Sequence, residues 1–282
     1  MIPDYPDLSE VSIGHRQVLH PLFKRLECGV SEFTFANIFL FRKTHGYMLS
    51  RLPDGTVMIS GRDNGKDFFM LPFGLPKRDL LDGLFKRFSC MKNASERQTL
   101  LLREAGYGVK EDRDNFDYLY SREEMAGLSG RKFHRKKNLV NLFTGSYRYE
   151  VRPLLDEYIP DALGVLEGWR DESSADDYDA AKEALGLCGK LQLCGSVYYV
   201  EGTPAAYILG EELKKDTFVV HFEKAAGEFK GLLQFVNQSF SAGLPERYVF
   251  INREQDLGQE GLRKSKMSYR PVGFVKKYKV SV

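Results

Sequence analysis

Residues 217–252, TFVVHFEKAAGEFKGLLQFVNQSFSAGLPERYVFIN, contain the three elements that decide the fold of this chain. The β-branched and aromatic residues at 217–222 predict a strand, and those at 248–252 predict a second one. Between them, apolar residues recur at helical spacing, at positions 229, 232, 233, 236 and 240. A crossover helix is the usual connection between parallel neighbours. We therefore predict that strands 218–223 and 248–252 are adjacent in one sheet, with a helix over about 228–242 between them.

Similar patterns extend in both directions from this stretch. Strand-like runs at 195–200 and 205–209 precede it, and an acidic, serine-rich connector is expected at 171–179. Earlier runs at 47–52, 56–60 and 68–71 are separated by turn residues and predict an antiparallel meander. Two successive patterns of strands and helices predict an α/β (α+β) fold of two lobes, each a mixed, mostly antiparallel sheet flanked by helices. The predicted lobes are residues 1–145 and 146–282.

The composition suits a globular protein of this size. The chain has 282 residues, of which 43% are hydrophobic and 28% charged, and its length favours two lobes. No run of 18 apolar residues occurs, and the first ten residues do not resemble a secretory signal, so we expect a cytoplasmic protein without a transmembrane segment. The four cysteines lack the spacing of a metal site or a disulfide framework, so no metal is expected.

Positive charge is concentrated in two places. The whole chain is nearly balanced, with 41 basic and 39 acidic residues, yet the segment 263–282 contains seven Lys or Arg and no Asp or Glu. A second basic run lies at 131–137, followed by apolar residues that predict a docked helix. Localised positive charge indicates an anionic ligand, although such runs are also common on solvated faces.

The common catalytic motifs are absent from the sequence. It contains no P-loop, no dinucleotide-binding GxGxxG after a strand, no HExxH and no GxSxG. Nucleotide hydrolysis, dinucleotide redox chemistry, zinc proteolysis and serine-hydrolase chemistry therefore lack their usual signatures.

A polar constellation lies along the first strand and after the second. Strand alternation places positions 219, 221 and 223 on one face and positions 218, 220 and 222 on the other, so His221 and Glu223 share a face. Asn252, Glu254 and Asp256 follow the second strand directly. We expect these five side chains to line one cleft. The alternative is that they form only surface ion pairs and turn hydrogen bonds.

Three segments containing these residues carry a family resemblance. They are 130–143 (GRKFHRKKNLVNLF), 221–238 (HFEKAAGEFKGLLQFVNQ) and 248–271 (YVFINREQDLGQEGLRKSKMSYRP), and they are similar to the soluble C-terminal domain of bacterial phosphatidylglycerol lysyltransferases. The segment 33–42, FTFANIFLFR, resembles an early segment of the same family. The resemblance implies two tandem lobes of the GCN5-related acyltransferase type, akin to the Fem aminoacyl transferases. It also implies that strands 217–223 and 248–252 separate, with the reacting acyl group in the gap.

The same resemblance implies a transfer reaction. An acceptor amine or hydroxyl would attack the donor carbonyl directly, and a carboxylate would remove the acceptor's proton. Asp256 or Glu254 is the first choice for this base, and Glu223 or His221 the second. Asn252 would stabilise the developing oxyanion.

The expected donor is aminoacyl-tRNA rather than acyl-CoA, because the segment AGEFKGLL lacks the usual pyrophosphate-loop pattern of GCN5-related enzymes. Residues expected to contact donor phosphates are small or positively charged: Gly227, Lys230, Gly231, Arg253, Arg263, Lys264, Lys266, Lys136 and Lys137. The sequence does not decide between two classes of acceptor, an anionic lipid and a soluble amine such as a peptide or protein.

A non-enzymatic module that binds RNA or anionic lipid on the same fold is the alternative interpretation. A pocket that joins His221, Asn252 and Asp256 would favour the enzyme, whereas a flat basic face would favour the module.

Overall fold

The structure, a computed structural model, describes residues 1–170 and 175–282. The chain forms two compact units. Unit 1 comprises Met1–Asp117, Gln255–Gln259 and Phe274–Val282, and unit 2 comprises Tyr118–Glu254 and Glu260–Gly273. Two mixed sheets of seven strands are present, with helices against them, as the sequence predicted.

The predicted lobe boundary between residues 145 and 146 stays a prediction. By their contacts, residues 118–145 belong to unit 2, and unit 1 includes two later segments that the sequence patterns assigned to the second lobe. Within the predicted connector 171–179, residues 171–174 lie outside the described residues, whereas a helix begins at Ala175.

Fourteen strands form the two sheets of the described chain. They are β1 (Ser9–Glu10), β2 (Met48–Arg51), β3 (Val57–Asp63), β4 (Lys66–Met70), β5 (Cys90–Ala94), β6 (Gly108–Glu111), β7 (Asp117–Ser121), β8 (Tyr149–Pro153), β9 (Cys194–Val200), β10 (Thr203–Lys214), β11 (Thr217–Ala225), β12 (Phe250–Asn252), β13 (Gly273–Val275) and β14 (Tyr278–Ser281). The order is β1-β2-β3-β4-β5-β14-β6 in the first sheet and β13-β7-β12-β11-β10-β9-β8 in the second.

Eleven α-helices accompany these strands in the described ranges. They are α1 (Arg16–Phe23), α2 (Phe35–Leu40), α3 (Arg78–Arg87), α4 (Glu96–Glu104), α5 (Arg122–Gly127), α6 (His134–Ser146), α7 (Ile159–Glu167), α8 (Ala175–Gly186), α9 (Cys188–Leu191), α10 (Leu232–Gly243) and α11 (Glu260–Ser268). Among them, none has the length and apolar character that crossing a bilayer requires.

The sheet of unit 1 grows from the predicted meander. Strands β2, β3 and β4 pair antiparallel, and β5 pairs parallel with β4. Strand β14, although distant in sequence, lies between β5 and β6 and is antiparallel to both. Helix α2, within the segment 33–42, is buried along its whole length, and the hydroxyl of Thr34 caps it by accepting a bond from the Asn37 N–H at 3.0 Å.

A buried ion cluster in unit 1 shows that one of the seven positive charges at 263–282 is not available to a ligand. Lys277 is fully buried, and its ammonium group lies 2.5 Å from a Glu32 oxygen and 2.6 Å from an Asp117 oxygen. Ser31 donates to the same Asp117 carboxylate from both its N–H and its hydroxyl. Burial raises the pKa of Asp117 to about 6, although the Lys277 ammonium acts in the opposite direction. The charge of Lys277 is therefore compensated internally.

The sheet of unit 2 contains the predicted neighbours. Strand β11 pairs parallel with β12, and the helix α10 lies between them in sequence, as predicted. The helix begins at residue 232 rather than 228 because Gly231 adopts a left-handed conformation with a φ of 94° and acts as its N-cap. A Cβ at Gly231 would lie 2.2 Å from the carbonyl oxygen of Leu139 in α6. Only glycine therefore allows these two helices to approach so closely.

A β-bulge at His221 interrupts strand β11. Leu209 pairs with Phe222, but the next residue, Gly210, pairs with Val220, so His221 is an extra residue on β11. Gly210 is required opposite the bulge, because a Cβ there would lie 2.0 Å from the Val219 carbonyl oxygen.

The predicted alternation along this strand is wrong for that reason. Phe218 packs on Phe240 of α10, and Glu223 accepts a hydrogen bond from Asn237 of the same helix. Positions 218 and 223 therefore share the α10 face, because the bulge shifts the alternation by one residue.

Candidate active site

The candidate site lies in unit 2, where strands β11 and β12 part. Their backbone pairing ends at Val219 and Asn252, while β11 continues to residue 225. After Asn252 the chain stays with Tyr118 instead, because the Arg253 N–H donates to the Tyr118 carbonyl at 3.0 Å and the Tyr118 N–H donates to the Glu254 carbonyl. Beyond Val219 and Asn252, side-chain contacts connect the two segments: His221 contacts Glu254, and Glu223 contacts Arg253.

The first of these side-chain bridges joins His221 to two carboxylates. Its Nδ1 lies 2.7 Å from an oxygen of Glu254, and its Nε2 lies 3.2 Å from an oxygen of Glu211 on β10. The side chains of His221 and Glu211 are 1% and 3% exposed, whereas that of Glu254 is 16% exposed. Glu254 is thus the member of this triad that solvent reaches most.

The protonation state of His221 follows from this arrangement. Burial opposes the charged form of the imidazole, but the hydrogen bonds and negative charges of Glu211 and Glu254 outweigh burial and raise the pKa of His221 to about 10. His221 is therefore an imidazolium at neutral pH and donates from both ring nitrogens. In that state it cannot accept a proton, which argues against the prediction that it acts as the base.

The second bridge joins Glu223 of β11 to Arg253. One Glu223 oxygen lies 2.5 Å from the Arg253 guanidinium, and the other accepts a bond from the Asn237 amide of α10. The guanidinium also lies over the rings of Tyr120 and Tyr269, with distances of 5.9 and 5.4 Å to their centroids. Both carboxylate oxygens of Glu223 are thus engaged, and its side chain is only 8% exposed.

The backbone of Glu254 is held in a left-handed conformation with a φ of 54°. Asn252 fixes this turn, since its Oδ1 accepts a bond from the Glu254 N–H at 2.8 Å. Lys266 of α11 donates to the carbonyl oxygen of Arg253 and lies 3.5 Å from that of Glu254. Asn252 and Lys266 therefore position Glu254, which differs from their predicted roles in oxyanion stabilisation and phosphate binding.

Asp256 belongs to unit 1, where it is fully buried. One of its oxygens accepts a bond from the Gly258 N–H at 2.8 Å, and the other lies 3.2 Å from an Arg113 guanidinium nitrogen. A general base needs a lone pair within reach of the acceptor's proton, and these bonds favour a structural role instead. The predicted association of Asp256 with His221 stays a prediction.

The remaining predicted phosphate contacts fall into different environments. Lys264 is exposed and pairs with Glu260 along α11. Gly227, Lys230 and Lys137 are exposed, and Arg263 is partly buried. A Cβ at Gly227 would meet nothing within 4 Å, so close packing does not require glycine there.

Lys136 differs from these residues, because it is half-buried and its Nζ lies 4.0 Å from the ring centroid of Tyr269.

Sequence reasoning missed Glu211, Asn237 and Tyr269. Glu211 lies in the run AAYILGEEL, where a charged residue among buried apolar ones was the available signal. Buried carboxylates are rare unless paired, so a partner could have been expected for it. Asn237 and Tyr269 lack such a signal, since both belong to ordinary amphipathic segments.

Comparison with known proteins identifies a matching family. The family described as phosphatidylglycerol lysyltransferase, C-terminal, matches residues 23–281. An uncharacterised protein of Mycoplasmoides gallisepticum is 24% identical over 182 residues, and the match covers 59% of this chain and 56% of that protein. The matched part of the chain thus spans little more than half the length of this curated relative.

Solved structures share the fold over nearly the whole chain. A conserved protein of unknown function from Bacteroides thetaiotaomicron is 28% identical, with 99% of each chain covered and a TM-score of 0.88. The C-terminal domain of an Agrobacterium fabrum protein assigned as a lysylphosphatidylglycerol synthetase is 12% identical, with 95% and 92% covered and a TM-score of 0.63. FemX is 10% identical, with 97% and 96% covered and a TM-score of 0.59. The predicted fold of tandem acyltransferase-like lobes agrees with these similarities.

Proposed function

Because the chain belongs to the family of the phosphatidylglycerol lysyltransferase C-terminal domain, we propose that it transfers an acyl or aminoacyl group. In the gap where β11 and β12 part, an acceptor amine or hydroxyl attacks the donor carbonyl directly. The new amide or ester bond forms as the ester bond to the donor's ribose oxygen breaks, and that oxygen leaves with the proton that the acceptor loses. The observation that carries this proposal is the ionic triad of Glu211, His221 and Glu254 at that gap. We also propose that the reaction takes place in the cytoplasm.

Glu254 is the general base in this proposal. The triad combines two carboxylates with one imidazolium that donates to both of them. A carboxylate at this gap can take the proton that the acceptor loses when it attacks the donor carbonyl. Glu254 is the most exposed of the three, and Glu211 and His221 act as positioning residues around it.

Aminoacyl-tRNA is the proposed donor because the start of α10 is a poor site for the pyrophosphate of acyl-CoA. Phosphates bind helix N-termini through free N–H groups and the positive end of the dipole. Here the Leu139 carbonyl oxygen, a partial negative charge, packs directly on the N-cap residue Gly231. The relatives named as lysylphosphatidylglycerol synthetase and FemX share the fold, and their names give this chain no donor or acceptor by themselves.

A transfer assay with parallel donors tests the proposal. The purified protein is incubated with radiolabelled aminoacyl-tRNA or with labelled acetyl-CoA, each with phosphatidylglycerol vesicles or with a small primary amine as acceptor. We expect labelled product from aminoacyl-tRNA and none from acetyl-CoA. Product from acetyl-CoA alone would overturn the donor assignment. Binding of RNA or vesicles without product under any condition would instead support the non-enzymatic module.

A further inference from the structure

Strand β8 forms one edge of the unit 2 sheet, and no strand of the described chain pairs with its outer side. It pairs antiparallel with β9, and the Leu154 N–H just beyond it donates to the Gly195 carbonyl at 2.9 Å. Backbone groups alternate in direction along such a pair, so Tyr149 and Val151 direct their N–H and C=O groups away from β9. This outer side therefore offers backbone hydrogen bonds to another strand.

The outer side of β8 lacks most of the features that protect free edges, such as lysines, bulges and very short strands. Tyr149 and Val151 are 45% and 40% exposed, and their side chains lie on the same face of the strand. The charges on the other face have opposite signs, since Glu150 and Arg152 pair at 2.5 Å and are both more than 40% exposed. At the opposite edge of this sheet, β13 has only three residues. Of the two edges, β8 is thus the better template for a further strand.

We propose that β8 pairs antiparallel with β8 of a second copy of this chain, about a twofold axis at Val151. In this register the Val151 residues of the two copies exchange backbone hydrogen bonds, and each Tyr149 N–H donates to the Pro153 carbonyl of the other copy. Pro153 has no N–H to donate in return, so the pairing ends there. On the other face, Glu150 of each copy lies opposite Arg152 of the other. The contact is therefore self-complementary, as a twofold interface requires.

Charge favours this register over its neighbours. An axis at Glu150 would place the two Glu150 carboxylates opposite each other, and an axis at Arg152 would do the same with the guanidinium groups, which destabilises a strand pair. An axis at Tyr149 would bring Arg148 opposite Glu150. Arg148 is already engaged, because it pairs with Glu201 at 3.0 Å. The proposed register instead adds ion pairs between the two copies.

Two further properties of the interface follow from the length and place of β8. A contact along one strand of five residues buries less surface than a standard interface, so we expect a reversible dimer with a dissociation constant of roughly 1–100 μM. Strands β9 and β10 separate β8 from β11, so the interface is apart from the gap between β11 and β12. The dimer therefore goes beyond the proposed function and does not depend on it.

Sedimentation velocity at concentrations from about 1 to 500 μM tests the dimer. The parent should change reversibly from monomer to dimer, and Val151→Lys should weaken the dimer about tenfold or more, because like charges meet at the axis. The matched control is Leu100→Lys, at a 61% exposed position of α4 in unit 1, which should dimerise like the parent. A parent that stays monomeric throughout, or a dimer that both lysine variants leave unchanged, would overturn the proposal.

Charge exchange between the two copies tests the register. Glu150→Arg leaves only positive side chains on that face of β8, and Arg152→Glu leaves only negative ones, so each variant alone should dimerise about tenfold more weakly than the parent. An equimolar mixture should form a heterodimer, because both positions then meet the opposite charge in the other chain. A change of fold does not account for such a gain, since each variant is its own control. A mixture that associates no better than the separate variants would overturn the axis at Val151.

Discussion

His221 stabilises unit 2 through its charge. With its folded-state pKa raised to about 10, above the ordinary value of 6.5, the stabilisation is fully present below about pH 6.5 and is lost as the pH rises through about 10. We expect His221→Gln to lower the free energy of unfolding at neutral pH by roughly 3–5 kcal/mol, because Glu211 and Glu254 then remain buried without their shared cation.

Urea denaturation between about pH 7 and pH 10 measures this effect. The free energy of unfolding of the parent should fall across that pH range, and that of His221→Gln should fall less, because it lacks the charged imidazole. His134→Gln, at an exposed position on α6, serves as the control and should follow the parent. Parallel pH profiles for the parent and His221→Gln would contradict a charged His221.

Glu254 and Asp256 can be separated as candidates for the base. Glu254→Gln keeps the shape of the side chain but cannot take the acceptor's proton, so turnover should fall by roughly 10²- to 10⁴-fold with donor binding retained. Asp256→Asn should mainly lower stability, because it weakens the buried pair with Arg113. Single-turnover transfer per folded molecule is the measurement, with Glu228→Gln in the exposed loop before α10 as the control. A larger loss in Asp256→Asn than in Glu254→Gln would restore Asp256 as the base.

At the scale of elements, two glycines in the connection from β11 to α10 should respond differently to alanine. Gly231 has a positive φ, and its Cβ would overlap the Leu139 carbonyl oxygen, so Gly231→Ala should cost about 2 kcal/mol or more. Gly227 has open space and an ordinary φ, so Gly227→Ala should change stability by less than about 0.5 kcal/mol. Chemical denaturation of both variants tests this. Equal losses would mean that the α6–α10 contact does not depend on Gly231.

The elements of unit 2 show what local sequence can and cannot predict. The order β11, α10, β12 and the parallel pairing follow from periodicity and from the length of the connection, both of which are local properties. The bulge at His221 cannot be predicted from local sequence, because residues 219–224, VVHFEK, alternate like an ordinary strand. The extra residue is determined by Gly210 on the neighbouring strand. The triad escaped prediction for the same reason, since Glu211 meets His221 only through that bulge.

At the scale of the whole molecule, distant segments determine which charges are buried. Lys277 looks like one of seven basic residues in an exposed tail, but its partners Glu32 and Asp117 are 245 and 160 residues away in sequence. No local pattern in the sequence indicates such a contact, and residues 274–282 belong to unit 1 through contacts of the same long sequence separation.

Lys277→Met and Lys276→Met form a matched pair that tests this organisation. Loss of the Lys277 charge leaves two buried carboxylates without their cation and should cost roughly 3–5 kcal/mol. Lys276 pairs with Glu111 at the surface, where both side chains are more than 40% exposed, so its loss should cost less than about 1 kcal/mol. Thermal and urea unfolding measure both. Similar small losses would show that the Lys277 cluster does not support unit 1.

The place of β14 inside the sheet of unit 1 has a consequence for synthesis on the ribosome. Strands β5 and β6 are translated long before residues 278–281, yet each pairs with β14. Unit 2 ends at Gly273, so its residues are all available earlier. A chain that lacks residues 274–282 leaves the edge of β5 uncovered and β6 without its neighbour, and we expect chaperones and proteases to recognise such a product by these unpaired backbone groups.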